Sequence, residues 1–330
     1  MKYTPPAWLP GGNLQTIYAA RLAQTFVGAA PVYRRERWTT PDADFIDLDW
    51  LADESPSDKP LVVLFHGLEG TSQSHYALGF ASYCRLNGLA YVVVHFRGCS
   101  GEINLAPRAY HSGDFEEIDW ILKRIRSTRT GPIFCVGISL GGNALLRWAQ
   151  ETGELAKETV SAVAAVCSPI DLAASGMAIG KGFNLQVYTR MFLKTMRPKA
   201  LLKLKQFPGL FAKAAMDDAR DLYDFDNVFT APLHGFKNTV EYWKRASAKP
   251  RLSEIKIPAL VINALNDPFV PASSLPHARE VGSCVTLRQP AQGGHVGFPS
   301  GGLPAHIHTM PAQVGAWFQQ SQGSAHGRHR

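Results

Sequence analysis

Short apolar runs alternate with stretches of helical spacing along most of this chain. Leu61–Phe65 reads LVVLF and Tyr91–Phe96 reads YVVVHF. Uninterrupted apolar runs of this length predict strands buried on both faces. Ile133–Val136, Val160–Cys167 and Ala259–Ile262 repeat the pattern, and Val285–Leu287 is a further short candidate. Between these runs, Ser74–Asn87 places Tyr76, Phe80, Tyr83 and Cys84 on one helical side. In Phe115–Ile125 the residues Ile118, Ile121, Leu122 and Ile125 fall at the i, i+3, i+4, i+7 positions of one face. A helix is also predicted from about Gly142 to Gln150, and another around Leu14–Phe26. Strand and helix alternating in this rhythm predict an α/β fold with a mostly parallel, doubly wound sheet. Ahead of it, Trp38–Trp50 alternates loosely around the turn Pro41-Asp42-Ala43-Asp44, which reads as an antiparallel hairpin at a sheet edge.

The rhythm breaks between about Ser168 and Leu252. There Met177, Val187, Tyr188, Met191, Phe192, Leu201, Leu210 and Phe211 recur with helical spacing, and no strand-like run appears. Helices inserted between two strands predict a lid over the carboxyl edge of the sheet. The expected organisation is a core of residues 1–167 and 253–320, a helical lid over 168–252, and a disordered tail over 321–330.

Composition adds little beyond a soluble globular enzyme. The chain has 330 residues, 45% hydrophobic and 18% charged. Its five cysteines are odd in number, and Cys135 and Cys167 sit inside apolar runs, which fits core thiols in a reducing compartment. No secretory signal or spanning segment is read, so a cytoplasmic protein is expected. The net charge of +7 reads as a slightly basic enzyme, with no nucleic-acid partner expected. Part of the excess is local: Lys181, Arg190, Lys194, Arg197, Lys199, Lys203, Lys205 and Lys213 crowd the lid. Beside Met191, Phe192, Leu193 and Met196, these cations offer a transient contact with anionic lipid headgroups. A solvated lid with an apolar underside accounts for the same pattern.

The chemistry lies after the strands. Gly137-Ile138-Ser139-Leu140-Gly141 fits G-x-S-x-G, and it joins a predicted strand directly to a predicted helix. That is the context of a nucleophile elbow, in which glycines leave room for a serine held on a sharp turn. Gly137 and Gly141 support that turn, and the Leu140 N–H at the new helix's start would face an oxyanion. The elbow implies the α/β-hydrolase fold, and His66-Gly67-Leu68-Glu69-Gly70 follows Leu61–Phe65, where that fold draws its second oxyanion N–H, here from Leu68. His66 is read as a brace for that loop, and Gly67 lets the backbone approach a substrate. The chain order Ser…Asp/Glu…His then selects Asp267, after Ala259–Ile262, and His295 in Gln292-Gly293-Gly294-His295. Asp267 would orient the imidazole, and His295 would move a proton to and from Ser139. Arg97 and Tyr110-His111-Ser112-Gly113-Asp114 could line a substrate entrance, but Arg97 is read as a loop pin through a bidentate carboxylate pair.

These motifs resemble the YheT-like family of bacterial esterases, which is related to the mammalian ABHD-type membrane lipid hydrolases. The resemblance spans roughly residues 5–320. It rests on Trp8-Leu9-Pro10-Gly11-Gly12-Asn13-Leu14-Gln15-Thr16, His66–Gly70, Phe96-Arg97-Gly98-Cys99-Ser100-Gly101 and Tyr110-His111-Ser112-Gly113-Asp114, with the nucleophile motif, Asn263–Pro271 and Gly294-His295. It implies hydrolysis of carboxylic esters by a Ser-Asp-His triad, whose three positions are Ser139, Asp267 and His295. The family often shows two acids before the proline; here the first is Asn266, which leaves Asp267 as the acid. No counterpart of the mammalian anchor segment is read here, so lipid specificity is not expected to carry over.

The expected activity is therefore that of a serine hydrolase on short- to medium-chain acyl esters, with a small-molecule ester as partner and neither metal nor organic cofactor. An acyltransferase, thioesterase, phospholipase or monoacylglycerol lipase would use the same triad. A non-catalytic binding protein on the same scaffold is the remote alternative.

Overall fold

The computed structural model describes residues 3–52 and 56–326, with side chains described as far as residue 322. Eight strands form one sheet: β1 (Tyr33–Thr39), β2 (Phe45–Leu51), β3 (Leu61–Phe65), β4 (Ala90–His95), β5 (Ile133–Ile138), β6 (Ala162–Val166), β7 (Ala259–Ile262) and β8 (Val285–Arg288). Their spatial order is β1-β2-β4-β3-β5-β6-β7-β8. The hairpin β1–β2 is antiparallel, β2 joins β4 antiparallel, and every other pairing is parallel. The expected edge hairpin is present, turned by Ala43 in the left-handed region at φ 58°.

The alternation of β3 shows how the sheet is covered. Leu61, Val63 and Phe65 pack on one face with Ile118, Ile121, Leu122 and Ile125 of helix α3, while Val62 and Leu64 face the other. The helices of at least two turns are α1 (Gly12–Arg21), α2 (His75–Leu86), α3 (Phe115–Ser127), α4 (Leu140–Thr152), α5 (Leu172–Ile179), α6 (Arg190–Gln206), α7 (Thr239–Ala246) and α8 (Thr309–His326). Tyr76 and Phe80 of α2 and Met310, Val314, Trp317 and Phe318 of α8 cover the second face. With both faces buried, the strands need the continuous apolar runs seen in the sequence.

Between β6 and β7 the chain carries α5 to α7 and shorter helical turns, with no strand among the described residues. It packs through its own apolar groups, including Leu193, Ala200, Met216, Phe225 and Phe229. It is anchored to the core where Ile179 and Tyr188 meet Phe269, Val270 and Leu275. At the chain's end the tail reading is corrected, because α8 continues as helix to His326. Trp317 and Phe318 bury against the sheet, with Phe318 stacked 4.7 Å from Phe134, and that anchorage carries the helix onward. Residues 327–330 lie outside the described residues. No helix among the described residues is long and apolar enough to cross a membrane.

Arg97 ties the hairpin to the core. Its guanidinium reaches Asp42 at 2.7 Å, Asp44 at 2.8 Å and Glu117 at 2.5 Å. The arginine is therefore a loop pin, as its sequence context suggests. Burial alone would raise the Asp42 pKa, yet Arg97 and Thr40 hold it down to about 2. The stability from this contact is fully present above the ordinary value of 3.8 and is lost as pH falls through about 2. Arg97→Ala leaves Asp44 and Glu117 buried without their cation. We expect a loss of about 3–5 kcal/mol, measured by urea unfolding at neutral pH. A loss below about 1 kcal/mol would show that the pin is dispensable.

Candidate active site

β5 runs into α4 with a single residue, Ser139, between them. Ser139 sits at φ 50° and ψ −117°, a conformation that costs a non-glycine residue roughly 1–3 kcal/mol. It persists because both flanks are fixed. The Ser139 N–H donates to Val166 O at 2.9 Å, and every residue of α4 from Leu140 to Gln150 is buried. Crowding explains the glycines: a Cβ on Gly137 would lie 2.4 Å from Gly142 Cα, and one on Gly141 would lie 2.5 Å from His66 O.

The loop after β3 lies beside this turn. A Cβ on Gly67 would stand 3.2 Å from Ser139 Cβ. His66 accepts the Phe96 N–H at Nε2 (3.1 Å), which places its proton on Nδ1, where it donates to Gly67 O at 2.7 Å. Burial, with His95 nearby, lowers the His66 pKa to about 3, so the ring stays neutral and braces the loop. Among the described residues, neither the Leu68 N–H nor the Leu140 N–H donates to a protein acceptor. Both residues line the pocket that holds Ser139 and His295.

The loops after β7 and β8 bring in the other two groups. His295 Nε2 lies 2.9 Å from Ser139 Oγ, and His295 Nδ1 lies 2.9 Å from Asp267 Oδ2. Asp267 Oδ1 accepts the N–H groups of Phe269 at 2.8 Å and Val270 at 3.2 Å. An ionised Asp267 keeps the imidazole proton on Nδ1, which leaves Nε2 as acceptor for the Ser139 hydroxyl. The Phe269 ring covers the imidazole with centroids 4.1 Å apart. Serine, imidazole and carboxylate thus form one continuous hydrogen-bonded line at the carboxyl edge of the sheet.

The family model for the alpha/beta hydrolase fold matches residues 60–301. The chain belongs to the α/β-hydrolase family. Across 96% of its length it is 37% identical to a protein named "Putative esterase YheT" from Escherichia coli (strain K12), covering 92% of that protein. It is 28% identical to "Phospholipase ABHD3" of Homo sapiens over 92% of this chain and 75% of the relative. A third relative, "Medium-chain fatty acid ethyl ester synthase/esterase 2" of Saccharomyces cerevisiae, is 30% identical over 64% of this chain and 52% of its own length.

In this hydrolase the N-terminal segment is part of the site, a role that its sequence does not announce. The His295 N–H donates to Thr16 Oγ1 at 2.8 Å. Gln15 Oε1 accepts the Gly293 N–H at 2.9 Å and the Asn266 amide at 3.0 Å. Asn266 Oδ1 in turn accepts the Gly294 N–H at 3.0 Å. Gln15 is fully buried, an unusual position for a glutamine in a short helix. Gly12 packs so tightly that a Cβ would lie 1.8 Å from Asn266 O. Asn266 therefore splints the histidine loop to the acid loop and to α1.

The hydrolase's pocket opens above Ser139 under the helical insertion, with about 1140 Å³ of empty space including solvent at its mouth. Leu172, Ile179, Phe192, Met196, Phe225 and Phe229 form its apolar walls. Not all cations of the insertion face outward, which narrows the basic surface read from the sequence. Lys199 pairs with Glu69, buried Lys203 donates to Asn104 O and Ala106 O, and Arg197 donates to Ala219 O. Among the described residues, Cys167, Asp267 and His295 hold their ligand-type atoms within 4.8 Å of one another. They suit a metal poorly, since Asp267 and His295 are hydrogen-bonded to each other and burial pushes the Cys167 thiol far above its ordinary pKa.

Replacing Gln15 by Ala removes the acceptor shared by Gly293 and Asn266. We expect a loss of about 1–3 kcal/mol in stability, read by denaturant unfolding, together with a lower kcat. Unchanged values for both would show that the splint does not hold the histidine loop.

Proposed function

We propose that this chain is a serine carboxylic-ester hydrolase that works through Ser139, His295 and Asp267 on short- to medium-chain acyl esters. The observation that carries the reading is the 2.9 Å contact from Ser139 Oγ to His295 Nε2, continued at 2.9 Å to Asp267, at the floor of an apolar pocket. His295 takes the hydroxyl proton as Ser139 Oγ attacks the ester carbonyl carbon. The carbonyl oxygen gains the negative charge, and the N–H groups of Leu68 and Leu140 receive it. Collapse breaks the bond to the alcohol oxygen, which leaves with the proton from His295. Water then attacks the acyl-enzyme by the same route, releasing the acid and restoring Ser139. The Asp267 carboxylate stabilises the imidazolium formed in each half-reaction.

The name of the Escherichia coli relative supports an ester substrate, and that of the yeast relative supports a medium-length acyl group. The same yeast name pairs synthesis with hydrolysis, which supports transfer to an alcohol as a second fate of the acyl-enzyme. A p-nitrophenyl ester series tests the main reading: Ser139→Ala should lower turnover by at least about 10³-fold and abolish labelling by a fluorophosphonate. Turnover that survives Ser139→Ala would sink the proposal. Ester products formed with added alcohols would establish transfer.

The insertion also presents an apolar stripe. Phe183 is 52%, Val187 37% and Met191 42% exposed, four residues apart, with exposed Lys181, Arg190 and Lys194 beside them. This pattern supports transient contact with an anionic lipid surface. Sedimentation with phosphatidylglycerol vesicles should retain the protein at low salt and lose it in Phe183→Ser. Equal recovery on neutral vesicles would refute the basic contribution.

A further inference from the structure

Glu69 follows directly on Leu68, so a carboxylate stands next to an N–H offered to a developing negative charge. Three groups close around it. Lys199, on α6 of the insertion, places Nζ 2.9 Å from Glu69 Oε2 and 3.0 Å from Oε1. Tyr110 donates its hydroxyl to Glu69 Oε1 at 3.0 Å, and the Tyr110 hydroxyl oxygen accepts the Glu69 N–H at 2.9 Å. The Cys99 thiol lies 3.9 Å from Glu69 Oε1 and 3.8 Å from Lys199 Nζ. Burial pushes that thiol up to about 12, so it adds no charge. The Glu69 side chain is 10% exposed and that of Lys199 34%, so water screens the pair only in part.

The backbone makes this pair matter. Glu69 holds φ 57°, a left-handed conformation for a residue with a long side chain. The Gly70 N–H closes a turn onto Gly67 O at 2.9 Å, and the orientation of the Leu68 N–H depends on that turn. No regular element continues through the loop, so side-chain anchors fix it.

We propose that Lys199 is a positioning residue for the oxyanion loop: from the insertion it cancels the Glu69 charge and holds the turn that aims the Leu68 N–H. This rests on the reading of Ser139 as nucleophile and of Leu68 as an oxyanion donor. Without the ammonium, the Glu69 carboxylate repels the oxyanion as it forms, and the effect falls on the transition state rather than on substrate binding. It also makes the position of the lid helix a condition for an effective oxyanion site, because α6 supplies the cation.

The test uses the full chain and the p-nitrophenyl ester it turns over fastest. Lys199→Met should lower kcat about tenfold, less than the roughly 10²–10³-fold cost of deleting an oxyanion donor, with KM changed by less than about twofold. Lys199→Arg should keep most of kcat. Glu69→Gln combined with Lys199→Met should recover most of the loss, because the uncompensated carboxylate is gone. Wild-type kcat in Lys199→Met, or a loss that the double variant does not recover, overturns the proposal. Should Lys199→Met fail to fold, Lys199→Gln keeps a donor to Glu69 without the charge and gives the same comparison. The underlying reading fails separately, if Ser139→Ala keeps its turnover or its fluorophosphonate labelling.

Discussion

The site depends on one strained residue. Ser139 is held with a left-handed φ between the last residue of β5 and the first of α4, and neither neighbour can relax. Parallel pairing fixes β5 on both sides, while α4 is buried almost all round. The cost of roughly 1–3 kcal/mol is spread over a core that could not reform without unfolding. In return the serine Oγ stands clear of both elements, beside the loop after β3. The glycines around it follow from the same crowding rather than from any need for flexibility.

A second layer arranges the groups that meet the serine. Leu68, Asp267 and His295 each sit on a connection beyond a strand end, where a backbone is free to wander. Buried polar side chains remove that freedom. His66 pins the loop after β3 to the end of β4, and Gln15 with Asn266 pins the loops after β7 and β8 to α1. His75 donates from Nε2 to Val296 O at 3.1 Å, bracing the histidine loop from α2. Such networks are favourable only when complete, since a single missing partner leaves a buried polar group unpaired.

Much of this architecture was legible in the sequence because it is governed by local rules. LVVLF and ALVI announce fully buried strands, and β3 and β7 span those very residues. The period of Ile118, Ile121, Leu122 and Ile125 announces the buried face of α3. Ser139, Asp267 and His295 were found through motif, strand context and chain order, and the fold brings their side chains together. What stayed hidden was long-range. Nothing near Gln15 says that its partners lie more than 250 positions away. Nothing in a run of lysines says which are solvated, and Lys199 and Lys203 turn inward because their helix face meets Glu69 and the Asn104–Ala106 carbonyls. The terminal stretch 321–330 read as a disordered tail, yet two upstream aromatics anchor the helix that continues to His326.

The Gln15 contacts also bear on how the protein is made. Gly293 lies 278 positions from the glutamine that receives its N–H, in a chain of 330 residues. A ribosome releases the strands of the sheet one after another, and each can join a neighbour as it emerges, save β3, which waits for β4. The imidazole loop, by contrast, has no seat until the first helix and the last strand are both available. The contact between Ser139 and His295 is thus a property of the finished chain, and a nascent fragment carries the serine turn without the imidazole that the fold sets beside it.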